Sequence, residues 1–209
     1  MASVKAIAAV CEAICHILRS AAAEDAAELG DIEPEFRVFD ASDFTEANEP
    51  LGTGVSVFVY RVMPSLTHRT PPGRVMPDGR RRRSSLPVDI HILLTAWAEA
   101  ASTEHLLTAW MMRSLEDYPT LPASLLNFEY PGVFEPGESV ELVISEMPGD
   151  ELLQWWDLVN GETTAFHLTI PYLVRAVNIE SRRETPAGEP VQVRGFQAGV
   201  FDGSTEGGE

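Results

Sequence analysis

The chain has 209 residues, of which 44% are hydrophobic and 22% are charged, and this composition excludes both a largely disordered chain and one built mainly of membrane spans. Lys and Arg together number 15 against 32 for Asp and Glu, which gives a formal net charge of -17. Most of such a surface would repel a nucleic acid, so we expect no nucleic-acid partner.

The first predicted element is a helix over residues 3–28, where apolar residues recur at helical spacing. Glu12 and Arg19 interrupt the apolar run, so we expect neither a cleaved signal peptide nor a membrane span. The only two cysteines, Cys11 and Cys15, lie four residues apart on this helix, and the spacing suits buried thiols better than a disulfide. Synthesis in the cytosol is the simplest interpretation.

Strands and two further helices are predicted downstream. They are strands over residues 36–39, 55–63 and 86–96, a helix over 103–118, a strand over 140–145, a helix over 150–160 and a last apolar run over 166–179. The second of these strands is apolar on both faces, which predicts cover on both faces of the sheet. Pro171 interrupts the last run and predicts an edge or bulged strand, because proline cannot donate to a ladder.

The order of these elements shows no repeat and no break between two complete cores. We therefore predict an α+β fold: a single domain with a mixed or antiparallel β-sheet flanked by helices. Residues 1–181 are assigned to this domain, and residues 182–209 to a polar tail rich in glycine and acidic residues.

The connection over residues 64–85 is a long loop, rich in proline and glycine, that contains a run of four arginines. A nucleic-acid patch would add interleaved aromatics and a basic surround, and neither is present. Two interpretations stay open: a solvated loop, or a loop that docks on a carboxylate-rich neighbouring subunit. The candidate assembly residues are the arginines of this loop and two tryptophans: Arg69, Arg74, Arg80, Arg81, Arg82, Arg83, Trp155 and Trp156.

Trp155 and Trp156 are consecutive on the predicted helix over residues 150–160, so their side chains diverge by about 100°. Two arrangements stay open for them. Either one ring fills the core and the other reaches an interface, where tryptophan is enriched, or both lie in one broad stripe that faces the core.

The motifs of common catalytic sites are missing: the sequence has no His-Glu-x-x-His, Walker loop, Gly-x-Ser-x-Gly or Cys-x-x-Cys. Asp89 and His91 lie on one face of a strand and could share a divalent metal with Glu99. The better interpretation is a polar strand face, with Asp89 paired to an arginine. The two cysteines and His16 likewise lack a further ligand. We predict no enzyme, no cofactor and no metal.

Several stretches resemble one family in the right order. They are residues 55–62 (VSVFVYRV), 86–97 (LPVDIHILLTAW), the helix that closes on Pro119, residues 151–158 (ELLQWWDL) and residues 166–177 (FHLTIPYLVRAV). Together they span about residues 1–180 and resemble the tail-terminator or cap proteins of extracellular contractile injection systems of the anti-feeding-prophage type.

The resemblance implies a structural protein with a tail-terminator-like fold that forms a ring, implied to be a hexamer, at the particle end opposite the baseplate. There it would cap the inner tube and the contractile sheath and stop their polymerisation. The implied partners are the sheath and inner tube proteins, with assembly in the bacterial cytoplasm as part of a particle that can be released. The alternatives are an adaptor or baseplate-associated component of the same particle and, more remotely, a metal-dependent enzyme.

Overall fold

The computed structural model describes residues 2–44, 51–66, 81–160, 166–181 and 183–185. The helices are α1 (Ala6–Glu24), α2 (Ala26–Leu29), α3 (Ala101–Glu116), α4 (Ala123–Leu126) and α5 (Gly149–Asn160), with a 3-10 helix at Ala41–Phe44. The strands are β1 (Glu35–Phe39), β2 (Gly54–Pro64), β3 (Arg81–Arg82), β4 (Leu86–Trp97), β5 (Thr120–Pro122), β6 (Ser139–Ile144), β7 (Thr169–Ile179) and β8 (Glu184–Thr185).

Six strands form one sheet in the order β1-β2-β4-β7-β6-β5. β1 runs parallel to β2, and the other paired neighbours for which a register is defined are antiparallel. β3 and β8 form a separate two-stranded antiparallel ribbon. The α+β prediction with a mixed sheet flanked by helices is confirmed.

α1 is the central helix of the main core. Nine of its residues are buried against the sheet and the neighbouring helices α3 and α4. By length and mean hydropathy Ala6–Glu24 could cross a membrane, yet half of its most apolar window is buried inside this fold. The helix is shorter than predicted: it ends at Glu24, and the separate short helix α2 follows, closed by Gly30 with a φ of 61°.

The two faces of the sheet carry separate hydrophobic clusters. Val55 and Val57 of β2 belong to the large cluster under α1, α3 and α4. Trp97 and Phe58 belong to a smaller aromatic cluster under α5 and the 3-10 helix. The prediction that β2 is covered on both faces is therefore confirmed for its first half, whereas its last residues emerge from the core.

β7 lies between β4 and β6, so it is a central strand and not an edge. Pro171 is tolerated there because its carbonyl accepts the N–H of Ser145, one residue beyond the end of β6, at 2.9 Å. In an antiparallel strand the backbone N and O of one residue point to the same side. Both atoms of Pro171 therefore face the β6 side, and β4 loses no hydrogen bond through the N–H that proline lacks. Of the two arrangements predicted for this strand, the bulged one is observed, with the bulge at Arg175 and Ala176 opposite Asp89.

Candidate functional site

The candidate assembly arginines lie in and around the connection between β2 and β4. Arg69, Arg74 and Arg80 lie outside the described residues. Arg81 and Arg82 form β3 and pair with β8, the last described strand of the chain. The predicted long loop therefore ends in a short ribbon before β4 begins.

Arg83 continues this ribbon, which we call the arginine ribbon (β3, Arg83 and β8). Its backbone N–H donates to the carbonyl of Arg183 at 3.3 Å, so basic residues from two distant segments become neighbours. Arg61 on β2 adds a further exposed cation on the same hairpin. Neither Arg61 nor Arg83 forms an ion pair with another described residue.

The same end of the β2–β4 hairpin carries exposed apolar side chains, which the sequence analysis did not single out. Val62 is 42% exposed, Leu66 is 91% exposed and Leu86 is 50% exposed. The N–H of Ser65 donates to the carbonyl of Pro87 at 2.9 Å, which extends the ladder and sets Leu66 opposite Leu86. We call Val62, Leu66 and Leu86 the hairpin tip.

An apolar groove of about 580 Å³ opens beside the N-terminal half of α1. The groove forms because β1 ends at Phe39 whereas β2 continues to Pro64. The part of β2 that forms the groove floor therefore has no described strand on its β1 side. We call it the α1 groove, and its apolar lining includes Val4, Ile7, Ala8, Val38, Val59 and Tyr130.

Two carboxylates, Glu12 and Asp40, lie among the residues that line the α1 groove. Asp40 is fully exposed, and its carboxylate accepts hydrogen bonds from the hydroxyl and the N–H of Ser42 at 2.6 and 2.7 Å, which lowers its pKa. Lys5 lies over the ring of Tyr130 at 5.6 Å. Arg37 lies over the ring of Phe39 at 4.6 Å, so the two carboxylates are lining residues whereas the two cations lie beside lining rings.

Trp155 and Trp156 both contribute to the aromatic cluster. Trp156 is buried and lies 6.2 Å from Trp97, ring centre to ring centre, while its indole N–H has no hydrogen-bond partner among the described residues. Trp155 is half-buried and lies 5.2 Å from Phe44 and 5.4 Å from Phe58. Of the two arrangements left open, the structure has the broad core-facing stripe. A role for either ring in assembly stays a prediction.

Asp89 and His91 serve the strand and its bulge. Asp89 accepts the N–H of Ala176 at 2.9 Å, where Ala176 has a φ of 53°, so its partner is a backbone amide and not the arginine we predicted. His91 lies edge-on to Tyr60, and its pKa is lowered by burial and by the charge of Arg61, against the opposing charge of Asp89. Within the described ranges, no three potential metal ligands come together.

The cysteines are free and buried, as predicted. Burial raises the pKa of both the Cys11 and the Cys15 thiol to about 12, so both stay neutral near pH 7. His16 lies away from them, stacked on Phe128 with ring centres 3.7 Å apart. The three side chains are therefore explained by packing within the fold.

A family model matches most of the chain, and solved structures are similar to its fold. The family model of the Pvc16 N-terminal domain matches residues 9–193. Among solved structures, the fold is similar to the sheath/tube terminator of the extracellular contractile injection system PVC in its extended state, with a TM-score of 0.55 and 16% identity over 91% of this chain and 64% of that chain. It is also similar to the tube-terminating cap of the anti-feeding prophage, with a TM-score of 0.49 and 18% identity over 77% of this chain and 53% of that one.

The chain thus spans less than two thirds of the length of either solved relative. No curated protein sequence matches it.

Proposed function

Because the chain belongs to the Pvc16 N-terminal domain family, we propose that it is a terminator of an extracellular contractile injection system. In this role it binds the last layers of sheath and inner tube at the end opposite the baseplate and stops their polymerisation. The family match over residues 9–193 is the observation that carries the proposal. The likeness of the whole fold to the PVC sheath/tube terminator supports it.

We further propose that copies of the chain form a closed ring, hexameric as the family resemblance implies. A ring needs a heterologous interface, in which one patch meets a different patch on the neighbour. The arginine ribbon offers a basic patch, and the rest of a chain of net charge -17 offers acidic surface. These are two unlike surfaces of the kind that a ring requires. In this proposal residues 1–181 form the cap domain, and residues 182–209 form its tail.

The proposed role is structural and needs no reaction, cofactor or metal. Its partners are the sheath protein, the inner tube protein and further copies of the chain. Assembly takes place in the bacterial cytoplasm, and the product is part of a released particle, as the description of the PVC relative as extracellular supports.

Negative-stain microscopy of particles from cells with and without this gene tests the proposal. Without it we expect overlong or ragged particles with open ends, and restoration of a defined length when the gene is returned on a plasmid. Particles of normal length with closed ends in the deletion strain would contradict the terminator role. That result would favour an adaptor or baseplate-associated component instead.

A further inference from the structure

We propose that the hairpin tip of one copy docks in the α1 groove of the next copy. This inference rests on the proposed ring and names the two unlike surfaces that such a ring requires. One surface is exposed and the other is concave, both carry apolar side chains, and arginines lie beside the first whereas two carboxylates line the second.

The apolar match is the first argument. Leu66 is 91% exposed and Leu86, which lies opposite it on the extended ladder, is 50% exposed, so the described part of the hairpin carries two exposed leucines. In the groove, Val4 is 61% exposed in the turn that precedes α1. Burying large aliphatic side chains against one another removes apolar area from water, and this stabilises a contact by about 25 cal/mol for each Å² of apolar area buried.

The charges around the two surfaces are complementary. Arg61 and Arg83 flank the hairpin tip and are exposed without an ion pair to any described residue. Glu12 and Asp40 are the carboxylates among the lining residues of the groove. Charge-assisted contacts between guanidinium and carboxylate groups would fix the orientation of the docked hairpin.

A molecule cannot fill its own groove with its own hairpin tip. Leu66 lies seven residues beyond Val59 of the groove floor, which corresponds to about 23 Å along an extended strand. The intervening strand is held in a ladder with β4 that continues to the Ser65–Pro87 hydrogen bond, so it cannot turn back. The occupant therefore comes from another copy, and the contact is heterologous.

Cysteine cross-linking tests this contact in the full-length protein. A variant that carries both Val4→Cys and Leu66→Cys should form, under mild oxidation, a ladder of disulfide-linked species longer than dimers that collapses on reduction. A matched control carries Val4→Cys with Leu158→Cys, because Leu158 is 82% exposed on α5 and belongs to neither the hairpin tip nor the groove lining. Both pairs are built in a background with Cys11→Ala and Cys15→Ala, because Cys11 itself lines the groove.

A second variant makes the result independent of disulfide geometry. Leu66→Asp should lower self-association at least tenfold, as measured by sedimentation, while Leu158→Asp leaves it unchanged. Because both positions are exposed, neither change removes a core contact.

Several results would overturn the contact. They are a ladder equal in the two cysteine pairs, a product that stops at the dimer, a disulfide confined to one chain, or a cross-link formed only with sheath or tube protein. These outcomes are separate from the proposed function, which is judged by particle length in the deletion strain. If the deletion strain loses length control while Leu66→Asp still self-associates normally, the terminator role stands and this contact is wrong.

Discussion

At the scale of single residues, the tightest backbone approach lies where β1 joins the sheet. Gly54 begins β2 and is paired with Glu35, the first residue of β1. A Cβ at position 54 would overlap the carbonyl oxygen of Glu35, which is backbone and cannot move as a flexible side chain does. The parallel pairing of β1 with β2 therefore requires glycine at this position.

We expect Gly54→Ala to lower the free energy of unfolding by about 2 kcal/mol or more, because the edge strand must shift to admit the methyl group. Urea unfolding followed by circular dichroism measures this change. Gly52→Ala is the matched control, since a Cβ there meets nothing within 4 Å. Equal stability of the two variants would show that β1 does not approach β2 as described.

Buried thiols make stability depend on alkaline pH. Cys11 and Cys15 have pKa values raised from 9.0 to about 12 by burial. Above pH 9 the unfolded chain loses these protons while the folded chain keeps them, so the folded state binds more protons and the free energy of unfolding falls as pH rises. We expect a fall of roughly 1–3 kcal/mol per pH unit between about pH 9 and pH 12.

Denaturant unfolding at a series of pH values measures this slope. A variant with both Cys11→Ala and Cys15→Ala is the control, and its slope should be shallower. It should not be zero, because burial also raises the pKa of Tyr172 from 10.0 to about 12. Identical slopes in the two proteins would mean that the thiols are accessible to water in the folded state.

At the scale of elements, the edges of the main sheet are blunted. The carbonyl of Phe36 on β1 accepts a hydrogen bond from the Arg19 guanidinium at 2.9 Å, and β5 is only three residues long and ends in Pro122. Where β2 outlasts β1, a register irregularity follows Val59 and the strand ends at Pro64. Proline, short strands and bulges are the means by which proteins prevent edge-to-edge pairing. The proposed contact between copies accordingly uses side-chain surfaces, the hairpin tip and the α1 groove, and not a free strand edge.

α5 is held on the sheet by aromatic side chains, and we expect Trp156→Ala to release it. Trp156 is 3% exposed, and truncating a buried tryptophan costs about 3–5 kcal/mol. Hydrogen exchange of the α5 amides should become much faster, while the amides of α1 keep their protection because they belong to the other cluster. Leu158→Ala, at an exposed position of the same helix, should leave the exchange of α5 unchanged.

Elements that depend on local periodicity were predictable from the sequence. The helix predicted over residues 103–118 lies at Ala101–Glu116, and the one predicted over residues 150–160 lies at Gly149–Asn160. The position of β7 within the sheet was not predictable, because Pro171 shows that a donor is missing but not which side of the strand lacks it. The α1 groove could not be predicted for a related reason, since it arises from the unequal lengths of two paired strands, β1 and β2.

At the scale of the whole molecule, basic residues gather locally on a chain whose net charge is strongly negative. The chain carries a net charge of -17, yet the arginine ribbon gathers basic residues from two distant segments at one end of a hairpin. Two copies with this net charge repel each other at long range, so their association depends on local patches of opposite sign that bring them into register. This arrangement favours one orientation of approach over the others.

Charge reversal of the ribbon tests whether these patches guide assembly. We expect a variant with Arg81→Glu, Arg82→Glu and Arg83→Glu to weaken ring formation or attachment to the sheath, because like charges would then meet at the contact. Sedimentation and co-purification with sheath protein measure this, at about 0.1 M and about 1 M salt, since screening weakens exposed charge contacts.

The control reverses three exposed arginines elsewhere, Arg37, Arg113 and Arg175, and so changes the net charge by the same amount. These three form ion pairs with Asp43, Asp117 and Glu141, so circular dichroism must first show that the control variant is folded. If net charge alone governs association, the two variants will behave alike and both will recover at high salt. If the ribbon makes the contact, only reversal of the ribbon charges lowers association. The association of the wild type then falls toward that of the ribbon variant as the salt concentration is raised. Association that is unchanged in the ribbon variant at both salt concentrations would remove the arginines from the interface and leave the apolar hairpin tip as its sole support.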